Sequence, residues 1–129
     1  AVLIRRGAAF VATNLDPTRP TEEGLVPGTG ALIAAIEVGS GVKPVAIGKP
    51  EPTMFEMAMA QMAALPESTA TLGDRIDTDM EGGKRAGLRT ILVLSGSTDR
   101  EEAEAYGPDF IFDDIAALLE HWERALAGD

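Results

Sequence analysis

"TLGDRIDTDMEGGKRAGLRTILVLSG", residues 71–96, decides the fold. Its last part, "RTILVL" (89–94), is an unbroken apolar run, and a strand of that kind belongs to a sheet covered on both faces. Its first part completes "STATLGD" (68–74), a second strand. Between them "TDMEGGKRAG" (78–87) reads as a short helix, with Thr78 or Asp79 near its N-terminus and Gly87 at its C-terminal end. A strand, a helix and a strand joined by such short links predict a parallel β-α-β unit.

The alternation extends both ways. Upstream, "KPVAIGKPEP" (43–52) gives a short strand and a Gly-Lys-Pro corner. "TMFEMAMAQMAAL" (53–65) is helical, with Thr53 as N-cap and Glu56 as its capping-box partner. Apolar residues run nearly all round this helix, which predicts that it is well covered, with its methionines as flexible core filler. Downstream come a polar helix "TDREEAEAY" (98–106), a strand "DFIFDD" (109–114) and an amphipathic helix "DIAALLEHWERAL" (114–126). The last carries Ile115, Leu118, Leu119, Trp122 and Leu126 on one stripe. Before residue 43 lie a strand "AAFVATN" (8–14), a stretch read as loop (15–30) and a helix "ALIAAIEVG" (31–39) ended by Gly39 or Gly41. Three prolines and three glycines break any period in that loop. The fold class is α/β, a parallel Rossmann-like sheet with flanking helices.

The 129 residues supply one domain's worth of chain, and the net charge of −10 argues against a nucleic-acid partner, which wants a basic face. There is no cysteine, so disulfides and thiolate metal sites are excluded, and the expected location is cytoplasmic. No apolar run is long enough for a bilayer, so no membrane partner is expected. The opening "AVLIRRGAAFVA" is broken by Arg5, Arg6 and Gly7 and is no signal peptide.

Ligands of parallel α/β sheets lie beyond the carboxyl ends of the strands, here after Ile47, Leu72, Leu94 and Phe112. Asp74 falls one residue past an apolar strand, and Asp79 falls in the first turn of the next helix, where amides and the helix dipole favour negative charge. Carboxylates this close raise each other's pKa unless a cation or hydrogen bonds offset the repulsion. Magnesium, bound by one or two carboxylates with waters and phosphate, is one answer; helix capping by solvated acids is the other. The D-x-x-D-x-D spacing does not match a calcium loop. Lys49, between Gly48 and Pro50 at another strand end, could neutralise a phosphate or an aspartate, or face water as an ordinary lysine. His121, beside Trp122, reads as a surface or packing residue. Ser95 and Thr98 have no histidine near them and no G-x-S-x-G, so a serine hydrolase is not indicated.

"VAIGKPEPTMF", "TLGDRIDTDMEGGKRAGLRTILVLSG" and "PDFIFDDIAALL" together resemble the haloacid dehalogenase-like (HAD) phosphatases of subfamily IIA, the para-nitrophenyl, phosphoglycolate, pyridoxal and nucleotide phosphatase types. "FVATNLDPTRPTEEGLVPGTGALIAAIE" is similar to the end of that branch's large cap domain. The resemblance implies residues 1–46 as the last part of a C2-type α/β cap and 47–129 as the C-terminal half of the core. It implies that Lys49 steadies the phosphoryl group and the nucleophile, that Asp74 ligates magnesium, and that Asp79 orients the metal's water shell or the lysine. Arg75, Ile76, Asp77 and Thr78 would border a small phosphorylated metabolite, as would Arg19 from the cap segment 16–24.

In the family the reaction begins at a D-x-D aspartate that precedes the cap, and a Ser/Thr on the next strand holds the phosphate. This chain is expected to start inside the cap and to hold neither. "TNLDPT" (13–18) mimics the nucleophile motif only superficially, because Asn14 stands where an aspartate is needed and an amide forms no aspartyl phosphate. Weak or absent magnesium binding and no activity from these residues alone are the expectations. So is an exposed sheet edge, met by a homo-oligomer or by a missing N-terminal half. A short non-catalytic binding or assembly module with a vestigial acidic site is the alternative.

Overall fold

The computed structural model describes residues 1–128 and divides into two compact units, Ala1–Met54 and Phe55–Asp129. The first unit holds α1 (Val2–Arg5), β1 (Val11–Ala12), β2 (Thr18–Thr21), β3 (Gly24–Pro27), α2 (Thr29–Ser40) and β4 (Val45–Ala46). β1 and β4 pair in parallel, Val11 opposite Val45 and Ala12 opposite Ala46. The stretch expected to be loop is in fact an antiparallel hairpin, with Thr18 opposite Pro27 and Thr21 opposite Gly24. Pro20 and Pro27 hid it from the sequence pattern. In a two-stranded ribbon both strands are edges, and an edge strand tolerates a residue without an N–H. Thr21 Oγ1 closes the turn by donating to the Gly24 carbonyl at 2.7 Å. α2 ends on Gly41, whose φ of +72° is a left-handed cap that glycine adopts without strain.

α3 (Thr53–Met62) opens at the junction of the units. The expectation that it is well covered does not hold. Met59 is buried, but Met54, Met57 and Met62 are exposed. An all-round apolar helix can be covered only by neighbours on every side, and within this chain α3 buries one side alone.

The second unit is a parallel sheet in the order β5 (Ala70–Gly73), β6 (Arg89–Val93), β7 (Phe110–Phe112). The helical turns Ile76–Met80 and α4 (Glu81–Arg85) cross from β5 to β6, and α5 (Arg100–Tyr106) crosses from β6 to β7. α6 (Ile115–Ala127) follows. The central strand behaves as its sequence predicts, with Thr90, Ile91 and Leu92 buried. Leu92 and Met80 are fully buried and pack with Ala103, joined by Ile76, Leu94, Tyr106 and Ile111. Each such large side chain contributes about 1.5–3 kcal/mol of burial. Gly83 lets α4 close on β5, since a Cβ there would fall 2.3 Å from Thr71 Cγ2.

Two capping aspartates set the later helices: Asp99 accepts the Glu102 N–H at 2.9 Å and Asp114 accepts the Ala117 N–H at 2.8 Å. The stripe of α6 is buried only at Leu118, while Ile115, Leu119, Trp122 and Leu126 are exposed. His121 packs against Phe112, ring centroids 5.4 Å apart, as a packing residue. Ile115, Leu119 and Trp122 join Leu72 of β5 along an open apolar groove. No helix is long and apolar enough to cross a membrane among the described residues.

Candidate functional site

β5 ends at Gly73, so Asp74 is the first residue beyond the strand, at the carboxyl edge of the parallel sheet. The next turn is wider than an α-turn: Ile76–Met80 forms a π-helical turn, with the Met80 N–H reaching the Arg75 carbonyl at 3.1 Å. The helix expected to start near Thr78 therefore begins two residues earlier. The wide turn lets Asp79 fold back, so that its Oδ2 accepts the Arg75 N–H at 3.2 Å. This is the reciprocal arm of a capping box, reached from one position further along because of the extra residue. Asp79 is buried, and its carboxylate presses on the strand end, where a Cβ on Gly73 would lie 2.3 Å from Asp79 Cγ.

The three acids have different surroundings. Asp77 is bound by the Arg75 guanidinium, at 2.9 Å from Nε and 2.6 Å from Nη2, and that hydrogen bond holds its carboxyl below the usual range. Asp74 is held by the loop after β6. Its Oδ2 accepts the Ser97 N–H at 2.9 Å and the Ser97 hydroxyl at 3.0 Å, while its backbone carbonyl accepts the Thr98 hydroxyl at 2.7 Å. The Ser97 amide first, then its hydroxyl, keep the Asp74 carboxyl below the ordinary carboxylate value, against the opposing effect of burial. Mutual repulsion at this strand end is thus offset by fixed donors in the chain itself.

Asp74, Arg75, Ile76, Asp77, Thr78 and Asp79 are brought together on this one turn. Arg75, Ile76 and Asp77 also line a cleft of about 730 Å³ with Ser97, Thr98, Glu102, Ala105 and Tyr106. Burial, then the Glu81 carboxylate beside it, raises the Tyr106 hydroxyl above its usual pKa. The residues missed from sequence are Ser97 and Thr98. The signal for them is topological: β5 and β6 are parallel neighbours, so the loops beyond their carboxyl ends lie side by side.

Lys49 and Arg19 belong to the first unit. Lys49 is exposed beyond β4, and its bond to Pro50 is cis. The backbone makes a close approach at Gly48, since a Cβ would fall 1.7 Å from the Thr13 carbonyl oxygen. Arg19 is exposed on β2, paired across the hairpin with Val26. Asn14 accepts the Asp16 N–H at 3.3 Å, a turn-forming bond.

The donors suit a hard divalent cation in kind. Ser97 places both of its donors on Asp74 Oδ2 and neither on Oδ1, and a carboxylate oxygen at a strand end is the kind of ligand magnesium takes.

A parallel sheet with an acid turn at its carboxyl edge defines the class, and comparison with known proteins defines the family. Residues 46–118 match the HAD-hydrolase-like family. The chain is 42% identical over 123 residues to dihydroxyacetone phosphatase of Corynebacterium glutamicum, covering 94% of this chain and 45% of that protein. Among solved structures it superposes on p-nitrophenyl phosphatase from Archaeoglobus fulgidus with a TM-score of 0.81 and 36% identity, covering 90% of this chain and 47% of that one. It also superposes on glycerol phosphate phosphatase from Mycobacterium tuberculosis in complex with magnesium (TM-score 0.77, 39% identity, 91% and 36% covered). The chain belongs to the HAD-like family, in its subfamily IIA phosphatase branch, and matches the C-terminal portion of these relatives. It spans about half of their length or less.

Proposed function

We propose that this chain carries the phosphate-steadying lysine and the metal-facing aspartate of a magnesium-dependent phosphate-monoester hydrolase acting on a small phosphorylated metabolite. The observation that carries the reading is Asp74: a carboxylate at the end of a parallel strand, gripped by Ser97 through one oxygen and not through the other. Residues 1–46 are assigned to the end of a cap and 47–129 to the second half of the core, a division supported by a family match that starts at residue 46.

In this reading Asp74 would hold the cation. Asp79, tied to the Arg75 amide, keeps the turn closed under the site and orients its polar neighbours. Lys49 offsets charge on a phosphoryl oxygen, and Arg75 to Thr78, with Arg19, border the leaving group. When bound, magnesium neutralises charge that gathers on the phosphoryl oxygens, a mostly electrostatic contribution. The nucleophilic aspartate of the family's D-x-D motif is assigned to a part of the enzyme outside these residues. The test is p-nitrophenyl phosphate hydrolysis by the purified 129-residue chain with magnesium. No turnover above buffer is expected; clear turnover abolished by Asp74→Asn would contradict the assignment of the nucleophile.

A further inference from the structure

We propose that Ser97 is a positioning residue for Asp74: it latches one carboxylate oxygen so that the other is presented to a cation. The inference rests on the reading of Asp74 as the metal-facing acid and adds to it the residue that sets its geometry. Both donors of Ser97, amide and hydroxyl, converge on the same atom, Asp74 Oδ2, at 2.9 and 3.0 Å. Two donors on one oxygen fix the carboxylate plane and fill Oδ2's share of ligand capacity. Ser97 makes no bond to Oδ1, so Asp74 is set up as a ligand through that atom.

The loop is anchored so that Ser97 cannot drift. Thr98, itself buried, donates its hydroxyl to the Asp74 backbone carbonyl at 2.7 Å. Gly96 passes so near the aspartate that a Cβ would lie 2.2 Å from Oδ2 and 2.4 Å from Asp74 Cβ. Asp99 then caps α5 and fixes the far end of the loop. Asp74 is thus held at its side chain and its main chain by a segment 23 and 24 residues away in sequence. Outer partners of this kind are worth about 10- to 100-fold in metal affinity. Ser97→Ala removes the hydroxyl and keeps the amide, so the lower end of that range applies.

The experiment is nuclear magnetic resonance on the isotope-labelled 129-residue chain, comparing wild type, Ser97→Ala and Ser97→Thr. Ser97 is exposed, so the alanine variant keeps the fold, which amide spectra verify. Scalar couplings report the Asp74 χ1 rotamer, and Mn²⁺ line broadening at the Asp74 carboxyl carbon reports cation approach. Expected are one Asp74 rotamer in wild type, averaged rotamers in Ser97→Ala with about tenfold more Mn²⁺ needed for equal broadening, and recovery of both in Ser97→Thr. An unchanged rotamer and an unchanged Mn²⁺ response in Ser97→Ala overturn the latch. A wild-type chain with one rotamer that Ser97→Ala averages, yet with no Mn²⁺ broadening at Asp74, supports the latch as an orienting device and overturns only the claim that these residues present Asp74 to a cation by themselves.

Discussion

Gly73→Ala is the substitution whose effect the structure fixes most tightly. Gly73 is an ordinary strand residue paired opposite Leu92, so the glycine is required for space. An alanine Cβ would stand 2.3 Å from Asp79 Cγ, 2.4 Å from its Cβ and 2.5 Å from its Oδ2. The buried aspartate must move. Overpacking of this kind costs about 1–3 kcal/mol. Moving the carboxylate also breaks its bond to the Arg75 amide, a charge-assisted bond worth about 1.5–3 kcal/mol. The sum, about 2.5–6 kcal/mol, is a large share of a domain's typical stability of about 5–15 kcal/mol. In urea unfolding followed by circular dichroism, the midpoint should fall by roughly 2 M for a slope near 2 kcal/mol per M. In an Asp79→Gly background the obstructing atoms are gone, and Gly73→Ala should cost under about 1 kcal/mol, a coupling measurable by double-mutant cycle. A cost below about 0.5 kcal/mol in the wild-type background, or an equal cost in both backgrounds, would refute the packing argument.

Asp109 accepts the Thr90 N–H and hydroxyl, each at 2.8 Å, and these bonds, the amide first, hold its carboxyl below the usual range. Its folded pKa is therefore depressed. Its contribution is fully present above the unfolded value of about 3.9 and is lost as pH falls through the lower folded value. Asp109→Asn should cost about 1.5–3 kcal/mol near neutral pH, and the difference from wild type should shrink in acid, as unfolding curves taken across that range will report. Asp77→Ala breaks the Arg75 pair, but both side chains are about half exposed or more, so unfolding should change by less than about 1 kcal/mol.

Much of the second unit was legible because its strands are short and unbroken and its central strand is covered. "RTILVL" could only be a central strand, and the acid that follows "TATLG" could only lie at the sheet's carboxyl edge. The hairpin at 18–27 was illegible because proline reads as a breaker, although two-stranded ribbons accommodate it. The exposed methionines of α3 and the open stripe of α6 show the limit of periodicity: a pattern says which face wants burial, and only the neighbours say whether it is buried. Asp74 was legible as a candidate from local spacing. Its partner Ser97 was not, because the contact spans 23 residues and depends on which strands are neighbours. Asp79's reach back to Arg75 depends on the wide π turn, which no spacing rule announces.

The central claim is that Asp74 and Lys49 serve phosphate-monoester hydrolysis. The most direct measurement is p-nitrophenyl phosphate turnover by a folded chimera that joins the preceding portion of the Corynebacterium glutamicum relative to this chain. The account predicts magnesium-dependent hydrolysis that falls by about 10²–10³-fold, or more, in both Asp74→Asn and Lys49→Ala. An active chimera whose turnover is unchanged by either substitution would contradict it.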